Sequence, residues 1–303
     1  MPGGVAMADF DNDGKPDLFF TNGAPQPGLR KSGPPWWNRM LRNRGGWRFE
    51  DVTAKAGVQG TGYAMGAAAA DFDGDGFTDL LVLGVGFRTL YRNRGGGAFD
   101  DVTAKAGLED RTWSISAAWL DYDNDGDLDL FVVHYCRWDP KTEPFCGDAK
   151  AGFRTYCHPK FYDGLPNRLY RNNGNGTFTD VSVESGIAAH IGKGMGVAVA
   201  DYDRDGRPDI YVANDAAPDF LFHNDGDGLF TETGMEAGIA LTDDGKAVSS
   251  MGADFKDVDD DGRPDLFLTA LANETFPLFR NLGQGLFRRH DLAQPHRRGH
   301  HRP

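Results

Sequence analysis

Cysteine is scarce in this 303-residue chain, with three in all, and no apolar run is long enough to cross a bilayer. A membrane-spanning helix needs about 20 successive apolar residues; here every such stretch ends within a few residues at a Gly, Asp or Arg. The first residues, MPGGVAMADF, lack the basic segment followed by an apolar one that marks a secretion signal. Enzyme signatures are missing as well: there is no Gly-x-Ser-x-Gly elbow, P-loop, His-Glu-x-x-His pair or dinucleotide fingerprint after a strand. Basic residues are scattered, and their one cluster, Arg288 to Arg302, lies in a tail without apolar periodicity, so no nucleic-acid surface is expected. Gly (41) and Pro (16) stay below the level that signals disorder, and enough Val, Leu, Ile and Phe remain for a core.

What the chain has in excess is aspartate in a fixed pattern. Asp-x-Asp-x-Asp-Gly-x-x-Asp occurs five times, at Asp9, Asp11, Asp13 and Asp17; Asp71, Asp73, Asp75 and Asp79; Asp121, Asp123, Asp125 and Asp129; Asp201, Asp203, Asp205 and Asp209; and Asp257, Asp259, Asp261 and Asp265. A second motif alternates with it, a Leu-Tyr/Phe-Arg/His-Asn run followed by a Gly-rich turn and a Phe. It reads Leu90-Tyr91-Arg92-Asn93 to Phe99, Leu169-Tyr170-Arg171-Asn172 to Phe178, Leu221-Phe222-His223-Asn224 to Phe230, and Leu278-Phe279-Arg280-Asn281 to Phe287. Leu41-Arg42-Asn43 to Phe49 is a looser first copy. The acidic loops start at residues 9, 71, 121, 201 and 257, a spacing that suits one four-stranded sheet with its turns. Short apolar runs rich in β-branched and aromatic residues flank each loop, as in Leu80-Leu81-Val82 and Ile210-Tyr211-Val212, and predict a buried strand on either side.

The chemistry of the loop follows from its spacing. Side chains at positions 1, 3, 5 and 9, with the backbone carbonyl at position 7 (Lys15, Phe77, Asp127, Arg207 and Arg263), present only oxygen to a cation. Oxygen donors in a flexible loop with Gly at position 6 point to Ca²⁺, at about five sites, rather than to zinc, copper or magnesium. An EF-hand needs a Glu at position 12 and flanking helices. That position holds Phe20, Val82, Val132, Val212 and Leu268, so the EF-hand reading fails. A single Asp-Gly segment reads equally well as a polar turn; five copies with every carboxylate intact do not. Without a cation the carboxylates of one loop repel one another, so ion binding is expected to couple to folding. At a hundredfold excess over the dissociation constant each ion adds about 2.7 kcal/mol. Five divalent ions would also offset most of the net charge of −13.

The repeats resemble the FG-GAP or VCBS repeats of integrin α-chain β-propellers. The segments Leu169 to Asp180 and Tyr211 to Asn224 resemble, more narrowly, the ASPIC/UnbV, cartilage acidic protein-like group. The resemblance covers about residues 4 to 290. It implies an all-β chain: a β-propeller of four-stranded antiparallel blades with Ca²⁺-binding loops between strands, five repeats being visible of what is often a seven-bladed ring. The expected organisation is a propeller over residues 1–290, interrupted by insertions at 23–40 and 134–167, and an unstructured tail at 291–303. The break after the fifth repeat leads to the expectation of a fragment, with other domains in a longer parent chain. The group implies adhesion or extracellular binding without a defined activity.

Two blades carry extra length. From the first loop Asp to the Leu of the second motif there are 19, 20 and 21 residues in blades two, four and five, but 32 in blade one and 48 in blade three. Both insertions enter at the same point of the blade, so they should emerge on one face, the candidate binding surface for a protein or glycan. Trp36, Trp37, Trp138 and Tyr156 are its candidate contacts, set against the alternative that these aromatics form the insertions' own small core. Cys136, Cys146 and Cys157 all fall in the longer insertion. A Cys146–Cys157 disulfide, which related chains carry at a similar place, a zinc site completed by His134 or His158, and free thiols are the alternatives. The disulfide would fit an extracellular, cell-surface or periplasmic location. Sequons stand at Asn175 and Asn273.

The expected function is therefore a calcium-binding adhesion module and not an enzyme. Two other readings stand beside it. One is a polysaccharide lyase or hydrolase using Asp215, Asp219 or Glu274, residues that could equally hydrogen-bond blade turns. The other is a purely structural domain.

Overall fold

The computed structural model describes residues 3–148, 152–242, 244–271 and 274–290. The tail at 291–303 and Asn273 lie outside the described residues. Among them are five four-stranded antiparallel sheets, each a simple meander in chain order. The first consists of Val5–Ala8, Asp17–Phe20, Arg39–Asn43 and Phe49–Asp51. The second is Ala64–Ala70, Asp79–Gly84, Phe87–Asn93 and Phe99–Asp101. The third runs Ser114–Leu120, Asp129–His134, Arg168–Asn172 and Phe178–Asp180. Gly194–Ala200, Asp209–Asn214, Phe220–Gly226 and Leu229–Glu232 form the fourth. The fifth is Ser250–Lys256, Asp265–Ala270, Leu278–Gly283 and Leu286–His290. The first strands of successive sheets pack side by side, which arranges the sheets as blades about a common line. The crowding there is tight: a Cβ on Gly66 would lie 1.9 Å from the Ile115 carbonyl oxygen.

Each acidic loop joins the first strand of a sheet to the second, as its flanking apolar runs predict. The second strands show why those runs are continuous. In the second sheet Asp79 to Gly84 are all buried, because both faces of the strand are covered by neighbouring sheets. Leu80 and Val82 face the first sheet in one core cluster, while Leu81 and Leu83 face the third in another. The clusters between the third and fourth and between the fourth and fifth sheets repeat this arrangement. Each Leu or Val so buried contributes about 1.5–3 kcal/mol relative to exposure. The first sheet has a neighbour on one side only among the described residues. Its second strand accordingly alternates, with Phe19 fully buried and Phe20, the counterpart of Val82, 39% exposed.

Two side-chain devices tie each sheet to the next. The ring at loop position 2 meets the Phe at the first or second position of the next sheet's fourth strand: Phe10 with Phe99, Phe72 with Phe178, Tyr122 with Phe230 and Tyr202 with Phe287, at centroid separations of 5.7 to 6.0 Å. In the second to fifth sheets an Asn at or near the end of the third strand donates its side-chain amide to the backbone carbonyl of the preceding sheet's position-2 residue, in each case at 2.8 Å. The second sequence motif is thus the part of a blade that grips its predecessor.

Short helical turns follow the fourth strands at Thr53–Ala56, Thr103–Ala106 and Gly234–Ala237, each stopped by a left-handed Gly. No helix among the described residues is long and apolar enough to cross a membrane. In the long insertion, Cys146 and Cys157 are joined as a disulfide and Cys136 is a buried free thiol. That pairing excludes the zinc alternative, since two of its three thiolates are consumed.

Candidate functional site

In a meander, the loop after the first strand and the loop after the second leave from opposite ends of the sheet. The acidic loops and the two insertions therefore occupy opposite faces of the array.

At the acidic face, each loop is folded by its own carboxylates. In the first, Asp9 accepts hydrogen bonds from the backbone N–H groups of Asp13 (3.0 Å) and Gly14 (2.7 Å), and Asp13 accepts one from Lys15 N–H (3.1 Å). Gly14 has φ of 83°, in the left-handed region that a Cβ disfavours. The position-9 carboxylate is buried and bridges two segments: Asp79 accepts from the N–H of Phe72 at 3.1 Å and from that of Asn93 at 2.7 Å. The same pair of accepted hydrogen bonds recurs at Asp17, Asp129, Asp209 and Asp265.

Carboxylate oxygens converge within 4.8 Å of one another in sets that include Asp9, Asp11 and Asp13; Asp71, Asp73 and Asp79; Asp121, Asp123 and Asp129; and Asp201, Asp203 and Asp205. In the fourth loop His223 joins Asp203 and Asp209 as a further possible donor. These clusters are able to hold metal ions, and two observations fit a cation to them. Asp11 Oδ1 and Asp73 Oδ1 are buried oxygens without a hydrogen-bond partner. Burial, reinforced by the neighbouring carboxylates, pushes Asp79, Asp129 and Asp209 up to about 7, against the backbone hydrogen bonds that favour their charge. A divalent ion would supply the missing partner and reverse the sign of that shift. Basic side chains of the second motif already lean on the position-3 carboxylates: Arg42 Nε lies 2.5 Å from Asp11, and Arg92 and Arg280 pair with Asp73 and Asp259. Each of these carboxylate sets holds three residues: positions 1, 3 and 5 in the first and fourth loops, and positions 1, 3 and 9 in the second and third. At position 7, the backbone N–H groups of Lys15, Phe77, Asp127, Arg207 and Arg263 donate to the position-5 carboxylates.

On the opposite face, three adjoining hollows of about 90, 580 and 370 Å³ share Trp138 and form one trough. Trp138 stands edge-to-face with Trp113 at 5.9 Å, and Trp113 in turn with Tyr135 at 5.1 Å. Tyr156, 91% exposed, lines the first two hollows with Gln26. The disulfide and the Glu143–Arg154 ion pair (2.6 Å) brace the segment that carries Tyr156. The Tyr135 hydroxyl donates to Asp215 at 2.6 Å and fixes this part of the third sheet to the fourth.

Of the four aromatic candidates, Trp138 and Tyr156 meet in the trough, and Trp36 and Trp37 line none of its hollows. Pro34 and Pro35 start a 3₁₀ turn there, and the Lys31 ammonium gathers the Asn22, Gly23 and Trp36 carbonyls, holding the pair in its own local fold. Two trough residues escaped the sequence reading, Tyr63 and Trp113. Both stand eight residues before the first Asp of their loop, so aligning the repeats on the loops would have paired them. Asp219 is fully engaged, accepting from Tyr211 and Ser250 hydroxyls and from Asn214 N–H, and Glu274 accepts from Ser249 N–H.

The FG-GAP-like repeat family model matches residues 9–82, 84–132, 161–212 and 204–268. Cartilage acidic protein 1 of Xenopus tropicalis is 44% identical over 57 residues, which is 19% of this chain and 9% of that protein. The human protein of the same name is 34% identical over 87 residues, 29% of this chain and 12% of its own length. The chain thus matches only about a tenth of the length of these relatives. Among solved structures, an Agrocybe aegerita lectin recognising non-reducing terminal N-acetylglucosamine aligns over 94% of this chain and 64% of its own, with a TM-score of 0.51 and 19% identity. The Vibrio cholerae biofilm matrix protein Bap1 aligns over 95% of this chain and 38% of its own, with a TM-score of 0.48 and 14% identity.

Proposed function

The chain belongs to the FG-GAP-like repeat family, and from that premise we propose that it is a calcium-held β-propeller module that binds a glycan or protein ligand outside the cytosol. The observation that carries the reading is the separation of labour between the two faces. One end of each of the first four sheets holds a cluster of carboxylate oxygens. The other end bears an aromatic trough built by the two insertions.

Asp9, Asp11, Asp13 and Asp17 and their counterparts in the other four loops would hold the ions. Calcium there would neutralise the loop carboxylates and lock the first two strands of each blade. Affinity in the weak range of extracellular modules would keep the sites loaded outside cells and empty in cytosol. The disulfide fits the same oxidising setting. In the trough, Trp138 and Tyr156 offer flat apolar faces, and Gln26, Thr155 and the Glu143–Arg154 pair offer hydrogen-bond groups around them, the composition expected of a ligand site. The N-acetylglucosamine recognition stated for the lectin is consistent with a sugar ligand here.

The proposal is of binding without turnover. The carboxylates considered for catalysis, Asp215, Asp219 and Glu274, are each held by protein hydrogen bonds. Immobilised glycans and extracellular-matrix proteins, probed in millimolar calcium, test the reading. Binding should be lost in Trp138→Ala and Tyr156→Ala, kept in Trp36→Ala/Trp37→Ala, and release no product. Unchanged binding in the first two variants would remove the trough from the account.

A further inference from the structure

We propose that the ligand of the trough is an anionic polysaccharide, with sugar rings on Trp138 and Tyr156 and an acidic substituent held by Arg111 and Arg137. This rests on the reading of the trough as the binding surface and names the class of ligand.

The protein as a whole is strongly acidic, at −13. Charged residues are distributed unevenly along the trough. At one end Glu143 and Arg154 neutralise each other at 2.6 Å, and the Tyr162 hydroxyl adds a second contact to Glu143. At the other end, the hollow of about 370 Å³ is lined by Arg111 and Arg137 and by no carboxylate. Neither guanidinium has an ion-pair partner among the described residues, although most other arginines here do, Arg42, Arg88, Arg92, Arg207 and Arg263 among them. Two arginines without ion-pair partners that line one hollow with Trp113 and Trp138 suit a planar carboxylate or a sulfate, which Arg binds through paired N–H donors.

The hollows run on from one another through Trp138, from Tyr156 past Trp113 to Arg137. Such a shape fits several linked residues of an extended chain rather than one terminal sugar. Aromatic platforms favour pyranose faces over an acidic peptide such as polyglutamate, which has no flat ring to lay on Trp138 and Tyr156.

The test uses the calcium-loaded protein and three probes: a hexameric oligogalacturonate, its methyl ester, and polyglutamate, with binding followed by calorimetry. The acid hexamer should bind roughly tenfold or more tightly than the ester, with the preference shrinking as salt rises. Arg111→Gln and Arg137→Gln should erase the preference while leaving ester binding in place, and Trp138→Ala should weaken both sugars. Calcium-dependent melting of each variant confirms that it is folded. Equal binding of acid and ester, lost together in Trp138→Ala, would overturn the anionic assignment and leave the glycan reading standing. Polyglutamate binding as tightly as the acid hexamer would overturn the assignment in favour of an acidic peptide. No binding of either sugar would overturn it and the glycan reading of this trough together.

Discussion

The side-chain amide of Asn172 donates to the backbone carbonyl of Phe72, a hundred residues earlier and one sheet away, at 2.8 Å. The same bond is made by Asn93, Asn224 and Asn281, so four blade junctions are closed by one repeated contact. Asn43 keeps the local half of this arrangement, donating to Pro16 O and accepting from Gly45 N–H, and has no preceding sheet among the described residues.

That difference isolates the value of the contact. Asn172→Ala leaves a buried carbonyl unsatisfied and should cost about 1–3 kcal/mol, whereas Asn43→Ala, which loses only local bonds, should cost less. Urea denaturation of the two variants measures the difference, and equal losses would mean that the inter-sheet bond adds nothing.

Stability should depend on pH through Asp219. Burial pushes this carboxyl up to about 7, against the hydrogen bonds from Asn214, Tyr211 and Ser250. The folded chain therefore holds the proton more tightly than the unfolded one. Its contribution is complete below about pH 4 and is lost as pH rises through 7. Asp219→Asn removes the titration and should flatten the fall in melting temperature between pH 4 and 8. In chelator, Asp79, Asp129 and Asp209 should add the same trend, and calcium should suppress their share.

The disulfide serves the trough more than the propeller. Cys146→Ser/Cys157→Ser frees the segment that bears Tyr156 but touches no core cluster between sheets. The variant should melt within a few degrees of the parent, be cleaved faster by protease within 134–167, and bind ligand more weakly. A collapse of the whole melting transition would contradict this division.

The repeat pattern was enough to anticipate the blades, because loop and grip motifs each perform one mechanical task and recur wherever that task does. Leu80-Leu81-Val82 reads as a buried strand for a reason the sheets make plain: alternate residues face different neighbours. The trough was only half visible. Trp138 and Tyr156 stood out as aromatics in an insertion, but Tyr63 and Trp113 belong to the repeats themselves and matter only because the insertions close over them. Trp36 and Trp37, equally conspicuous in the sequence, stand apart from the trough in a local turn around Lys31. The short helical turns, four residues each, carry too few residues for any periodicity to show.

The direct test of the account is calcium titration of metal-free protein, followed by calorimetry and by thermal melts in calcium and in chelator. The account predicts about five ions bound per chain and a large rise in melting temperature with calcium, reduced by Asp73→Asn. Identical melting of verified metal-free and calcium-saturated protein, with no ion bound at millimolar calcium, would contradict it.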